Sequence, residues 1–431
     1  MPWPGADRAS PRTTLAALSL AMSIGQIAAD SPVVVTVPLH QSAAHPSYPP
    51  YVSISGDGRF VAFVSAAQLL PEDTNDRDDI YVLNRESGDV SLETAGVALA
   101  ALQRPAISET GRFLVYETDN HVLMIRDRAG EAVRPLQHGR EPPDGPSRTA
   151  SMSADGRYVA FASGATNLVD GADANGMIDD VYLADTTSMT FRRISTGAAG
   201  TEPKGGSAFA PAISENGRFV AFSSTAPIDA RAAASRIHVL NIYLYDTQGG
   251  ATSVVTVGSG GGTADGSSYS PAISGDGRYV AFVSNATNLA RRRDRNRTSD
   301  VYLRDTIAGT TELISRTPSG DGGNGASRHP VMSADGRYVV FQSEASDLAC
   351  GERCAAPDRD INLVADIFRR DRQTGRTELI SRGRTPWMEP SIGPAVDRTG
   401  AIIAFASRHA LDQADDRHDY DLFVWSRAPR R

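Results

Sequence analysis

Residues 274–289 read SGDGRYVAFVSNATNL, residues 153–168 read SADGRYVAFASGATNL, and residues 333–348 read SADGRYVVFQSEASDL. A chain that spells one sentence several times is built from repeats, and the repeat is settled before any single residue. Aligned on the glycine of the S-x-D-G-R turn, the sentence recurs at Gly58, Gly111, Gly156, Gly217, Gly277, Gly336 and, in weaker form, Gly400. Seven units of this size tile the chain after its first segment and leave no room for a separate catalytic domain.

The fifth unit shows the internal grammar. PAIS (271–274) leads through GDG into RYVAFVS (278–284), then a polar stretch, then DVYLRD (300–305), a turn TIAG, and TTELIS (310–315). Short runs rich in Val, Ile, Tyr and Phe, punctuated by Gly and Asp, predict strands, and the tight Asp-Gly turn predicts a hairpin. Each unit is therefore a four-stranded antiparallel meander. The second and third runs, such as FVAFV (60–64) and VYL (181–183), are apolar on both faces. Sheets covered on both faces by their neighbours have this pattern, and a ring of four-stranded sheets provides that cover. The expected fold is all-β, a seven-bladed β-propeller.

Ring closure is an independent expectation. The seventh unit runs through PAVD (394–397), AIIAFAS (401–407) and DLFVWS (421–426) without a fourth strand, whereas VVVTVPL (33–39) is a strand without a hairpin partner. Setting 33–39 at the outer edge of the last blade completes both. The blades then span about 51–94, 104–137, 149–197, 210–257, 270–316, 329–382 and 392–427, the last joined by 33–39, in one domain over 30–431.

Residues 1–29 form a separate segment. Arg8 and Arg12 precede a short apolar run, TLAALSLAMSIGQIAA (14–29), which predicts a secretory signal peptide and a periplasmic or extracellular protein; an uncleaved anchor and a misread start are the other readings. The formal charge of −8 argues against a nucleic-acid partner. Cys350 and Cys354, the only cysteines, share the loop CGERC and predict a local disulfide in an exported protein.

The carrying motifs are P-x-I-S-x-D-G-R-Y/F-V-A-F-x-S, D-x-N-x-x-x-D-V/I-Y-L, and L-I-S. In these the chain resembles the TolB-like propeller repeats of bacterial exported proteins, related at a distance to WD-type repeats. Unit two (106–127) lacks the long polar loop, unit four has Asn241 in place of the third-strand acid, and unit seven has TG for DG. The resemblance implies the propeller fold and leaves activity open, because such propellers serve many functions.

The polar loops before the third strands hold the candidate ligands. Asp73, Asn75 and Asp79 are spaced 0, 2 and 6, as are Asp294, Asn296 and Asp300, and Asp360, Asn362 and Asp366; Asp173, Asn175 and Asp179 keep the spacing but sit one residue earlier relative to the strand. Oxygen-only side chains at such spacing suit calcium, the one candidate cofactor. The competing reading is that Asp and Asn close turns at the mouth of the strand. Arg59, Arg157, Arg278 and Arg337, after the DG turns, are expected to pair with turn acids, and Tyr81, Tyr182 and Tyr302 to pack between blades. G-x-S-x-G, H-E-x-x-H and phosphate-loop signatures are missing from the sequence. Two functions follow. One is a non-catalytic platform that binds a protein, peptide or envelope glycan at the loop-rich face. The other is a propeller enzyme of lactonase, lyase or glycosidase type, with carboxylates from several blades converging in the central funnel.

Overall fold

The protein is described from a computed structural model, over residues 33–39, 51–75, 77–99, 104–171, 173, 175–197, 200–201, 203, 205–234, 239–290, 296–349, 360, 362, 364–382, 389–408 and 420–427. The signal-peptide segment 1–29 and the Cys350–Cys354 loop lie outside the described residues.

Each repeat folds into one four-stranded antiparallel sheet, and the seven sheets form a ring. Blade 1 holds strands Val52–Ile54, Phe60–Ser65, Asp79–Asn84 and Val90–Leu92, from the channel outward. The first strands of blades 2 to 7 begin at Ala106, Ser147, Ala208, Ser268, Ser327 and Ser391. In blade 7 the outer place is taken by Val33–Leu39, which pairs antiparallel with Tyr420–Ser426 in the register Val33↔Ser426 to Leu39↔Tyr420. The expected closure is thus observed, and the core cluster joining Ile54, Val61 and Phe63 to Ala404, Ala406 and Leu422 completes the circle.

The repeated sentence now has a physical reading. In blade 5, Ser274 Oγ donates to Asp276 Oδ1 (2.7 Å), as does the Arg278 amide (2.9 Å), and the Tyr279 amide donates to Ser274 Oγ (2.9 Å). Gly277 sits at φ 79°, and a Cβ there would lie 2.2 Å from Phe219 of blade 4, so both backbone and packing demand glycine. The Val-Ala-Phe strand is buried on both faces, and Phe282 stacks on Tyr302, directly opposite in register, at 6.1 Å. Five more blades repeat the pair: Phe63–Tyr81, Phe161–Tyr182, Phe222–Tyr243, Phe341–Phe368 and Phe405–Phe423. These rings lie in the clusters that join adjacent blades.

The arginine after each turn reaches the acid that closes the third strand: Arg157 to Asp185 (2.8 Å), Arg278 to Asp305 (2.7 Å) and Arg337 to Asp371 (2.8 Å), with Arg59 on Glu86 (3.1 Å). These are rim pairs that orient the hairpins and contribute little each.

Candidate functional site: the funnel mouth

The loop acids turn into their own blades. In blade 1 the Asn75 amide donates to Asp73 Oδ1 (3.1 Å), and Asn75 Nδ2 donates to Asp79 Oδ2 (2.9 Å). Tyr81 Oη donates to Asp73 Oδ2 (2.5 Å) and Thr94 Oγ1 to Asp79 Oδ1 (2.8 Å). The Thr94 hydroxyl also accepts from the Ile80 amide (2.9 Å), and Ser195, Thr256, Ser315 and Ser381 repeat that bond in blades 3, 4, 5 and 6. Ser315 on Asp300 (2.6 Å) and Ser381 on Asp366 (2.6 Å) repeat the bond. Asn296 Nδ2 donates to Asp300 Oδ2 (2.9 Å), and the Asn362 amide to Asp360 Oδ1 (3.2 Å).

Blade 3 carries its set one residue earlier relative to the third strand. The place of Asp79 is held by Asp180, which accepts from Ser195 Oγ (2.6 Å) and Asn175 Nδ2 (3.3 Å), while the Asn175 amide donates to Asp173 Oδ1 (3.2 Å). Asp179, the residue just before that strand, lines the channel mouth instead. Asp294 lies outside the described residues. Among the described residues no three Asp, Glu, His or Cys side chains gather to hold a metal ion.

What lines the funnel is the first strand of each blade. In five blades that strand bulges at a left-handed residue: Thr149 (φ 51°), Ala210 (50°), Ser270 (51°), His329 (49°) and Gly393 (61°). Proline follows four of them, at 211, 271, 330 and 394. An inner edge strand accommodates proline because its N–H would face the channel unpaired. These residues line a channel cavity of ≈ 380 Å³.

At the opposite end from the mouth, the x residues of the S-x-D-G turns are linked by backbone bonds. The Glu109 amide donates to Ala154 O (3.0 Å), Ala154 to Glu215 O (3.0 Å), Gly275 to Ala334 O (2.8 Å), Ala334 to Arg398 O (2.8 Å) and Arg398 to Gly56 O (3.0 Å). Across this floor the Arg398 guanidinium of blade 7 bonds Glu109 of blade 2 and Glu215 of blade 4.

The mouth opens into a cavity of ≈ 630 Å³ among blades 1 to 5. Blade 2, with its short hairpin, puts functional groups at this rim: Glu117 ends its second strand, and His121, at φ 60°, caps the turn. His121 Nδ1 and Glu117 Oε1 are 2.6 Å apart, and the His121 carbonyl accepts from the Ser147 amide (2.9 Å). Burial raises the Glu117 pKa from its ordinary value, against the lowering effect of His121 and Arg148. Asp179 is raised by burial too, opposed by Arg148 at 3.8 Å. Arg104 lies over the Tyr51 ring (4.1 Å) and donates to its hydroxyl (2.8 Å); among the described residues no carboxylate pairs with it. Phe209 and Tyr269 add apolar wall. Deeper in the channel, burial lowers the pKa of His329, and its Nδ1 lies 3.2 Å from Gln342 Oε1.

No protein-family profile and no curated protein matches the sequence. Solved structures do. A manganese complex of oligogalacturonate lyase aligns with TM-score 0.57 and 14% identity, over 94% of this chain and 96% of that one. An oligogalacturonate lyase from Vibrio parahaemolyticus aligns with TM-score 0.54 and 13% identity, over 92% and 95%. The β-propeller domain of the Trilobed protease from Pyrococcus furiosus, described as an open velcro, aligns with TM-score 0.51 and 13% identity, over 88% and 93%. What they share with this chain is the propeller. In contrast to an open velcro, this ring is closed by strand pairing between Val33–Leu39 and Tyr420–Ser426.

Sequence reasoning placed the chemistry in the long loops. The residues of the mouth, Tyr51, Arg104, Glu117, His121 and Arg148, lie outside the repeated motifs; the one signal for them was the missing loop of unit two.

Proposed function

We propose that the protein is an exported binding platform that takes a carboxylate-bearing ligand, a segment of acidic glycan or peptide, into the funnel mouth. One observation carries the reading: Arg104 is held by Tyr51 on the wall of a ≈ 630 Å³ cavity, with no protein carboxylate on it among the described residues. Arg148 and His121, in contrast, already face Asp179 and Glu117. A guanidinium fixed in place matches a carboxylate in two-pronged fashion, and the aromatic walls suit a sugar or peptide backbone. The cavity size fits one or two residues of a chain that continues outward over the loop face. The lyases sharing the fold are named for an oligosaccharide of carboxylated sugars, which agrees with this ligand class.

The Glu117–His121 pair favours a second reading. A histidine fixed by a buried carboxylate at a cavity is a serviceable general base. The enzyme reading would then rest on this pair and not on converging loop acids.

An array of carboxylated and neutral oligosaccharides and peptides tests the proposal. Retained ligands should carry carboxylates and be lost with Arg104→Ala. Retention of neutral ligands only, or of the same ligands by the variant, would refute it. Turnover of a retained ligand, abolished by His121→Ala, would select the second reading.

A further inference from the structure

Blades 1, 3 and 6 carry the same buried pair of acids, and the partners of that pair change from blade to blade. In blade 1 the outer oxygen of the first acid, Asp73 Oδ2, receives the Tyr81 hydroxyl proton. In blade 3 a guanidinium lies between the two acids: Arg193 Nη2 is 3.1 Å from Asp173 Oδ2, and Nε is 3.6 Å from Asp180 Oδ2. In blade 6 both devices are gone. The residue two after Asp366, where blade 1 has Tyr81, is Phe368, and the residue facing it in register, where blade 3 has Arg193, is Leu379.

Among the described residues Asp360 has only the Asn362 amide, on Oδ1, and its buried Oδ2 has no hydrogen-bond partner, in a residue 5% exposed. Its neighbour Asp366 is 3% exposed and is held by Ser381. A buried, donor-less carboxylate oxygen beside a second buried carboxylate is a costly arrangement unless positive charge joins it. Blade 3 shows where that charge sits in this fold.

We propose that Asp360 and Asp366 of blade 6 bind a calcium ion, in the position that the Arg193 guanidinium takes in blade 3. Hard oxygen donors with no nitrogen or sulfur among them select calcium over zinc or copper. Two carboxylates supply part of a calcium shell, and water or main-chain oxygen must supply the rest. A modest affinity follows, on the order of 0.1–1 mM, as in extracellular calcium modules. The inference is independent of the funnel-mouth reading.

The test is thermal unfolding of the full chain, stripped with chelator, against added calcium chloride. Equilibrium dialysis counts the ions bound. Wild type should bind one ion per chain and gain several degrees in Tm, half-complete on the order of 0.1–1 mM, with a much smaller gain in magnesium. Leu379→Arg rebuilds the blade 3 guanidinium and should remove both binding and gain, as should Asp360→Asn. If one variant does not fold, the other decides. The proposal is overturned by a wild type that binds no calcium at 10-fold above that range (~10 mM), by equal shifts in magnesium, or by calcium binding retained in either folded variant.

Discussion

Replacing Tyr81 by phenylalanine removes one oxygen and leaves the ring stack on Phe63 in place. The lost group is the donor to Asp73 Oδ2 at 2.5 Å, in a residue 4% exposed, with the Ala67 carbonyl at 2.9 Å as its second acceptor. A buried hydrogen bond to a charged acceptor contributes about 1.5–3 kcal/mol, so Tyr81→Phe should cost about 2 kcal/mol at pH 7. Tyr243→Phe is the internal control. Its hydroxyl donates to a neutral acceptor, the Ala226 carbonyl at 2.9 Å, and should cost about 1 kcal/mol. The variant should also gain a pH dependence. Asp360, which lacks such a hydroxyl, is raised by burial to about 6. A carboxyl whose folded pKa lies above its unfolded one binds its proton more tightly when folded. Its penalty is therefore complete above the folded pKa and disappears below the unfolded one. The excess cost of Tyr81→Phe over Tyr243→Phe should accordingly shrink from pH 7 to pH 4. Denaturant midpoints at both pH values measure it. Equal costs for the two variants at pH 7 would refute the reading that the loop acids are held inward by their own blades.

Omitting residues 33–39 leaves the Tyr420–Ser426 strand with an open edge, and cooperative unfolding should be lost or the unfolding free energy lowered by about several kcal/mol; a synthetic 33–39 peptide should restore it in urea titrations. Glu117→Gln should stabilise at neutral pH by about 1 kcal/mol or less, because the raised Glu117 is a buried charge. That gain should fade as pH falls below the ordinary carboxylate range, where the wild-type side chain is protonated in both states. Arg398→Ala, removing two half-exposed ion pairs on the floor, should cost about 1 kcal/mol or less in chemical unfolding.

The fold was legible because its rules act within one repeat. Gly277 is demanded by its own φ and by a ring of the preceding blade, and the Val-Ala-Phe run by cover on both faces. The unpaired run 33–39 and the incomplete seventh unit pointed to each other for the same reason. The mouth was not legible, because it depends on which non-repeated side chains the ring turns inward. Asp179 and Asp180 are adjacent in sequence, yet one faces the mouth and the other a buried serine. Arg398, Glu109 and Glu215 meet across the floor although up to 289 residues separate them. The inner-strand bulges were hidden for a further reason: left-handed Thr149 and His329 carry no glycine to mark them.

The central claim is that the ligand enters at the mouth, through Arg104, and not at the floor. Calorimetric titration of the tightest carboxylated ligand from the array into wild type, Arg104→Ala and Arg398→Ala tests it directly. Loss of one charge-assisted contact of about 1.5–3 kcal/mol predicts a drop in affinity of roughly 10- to 100-fold for Arg104→Ala, with Arg398→Ala unchanged. Unchanged affinity in Arg104→Ala, or a comparable loss in Arg398→Ala, would contradict it.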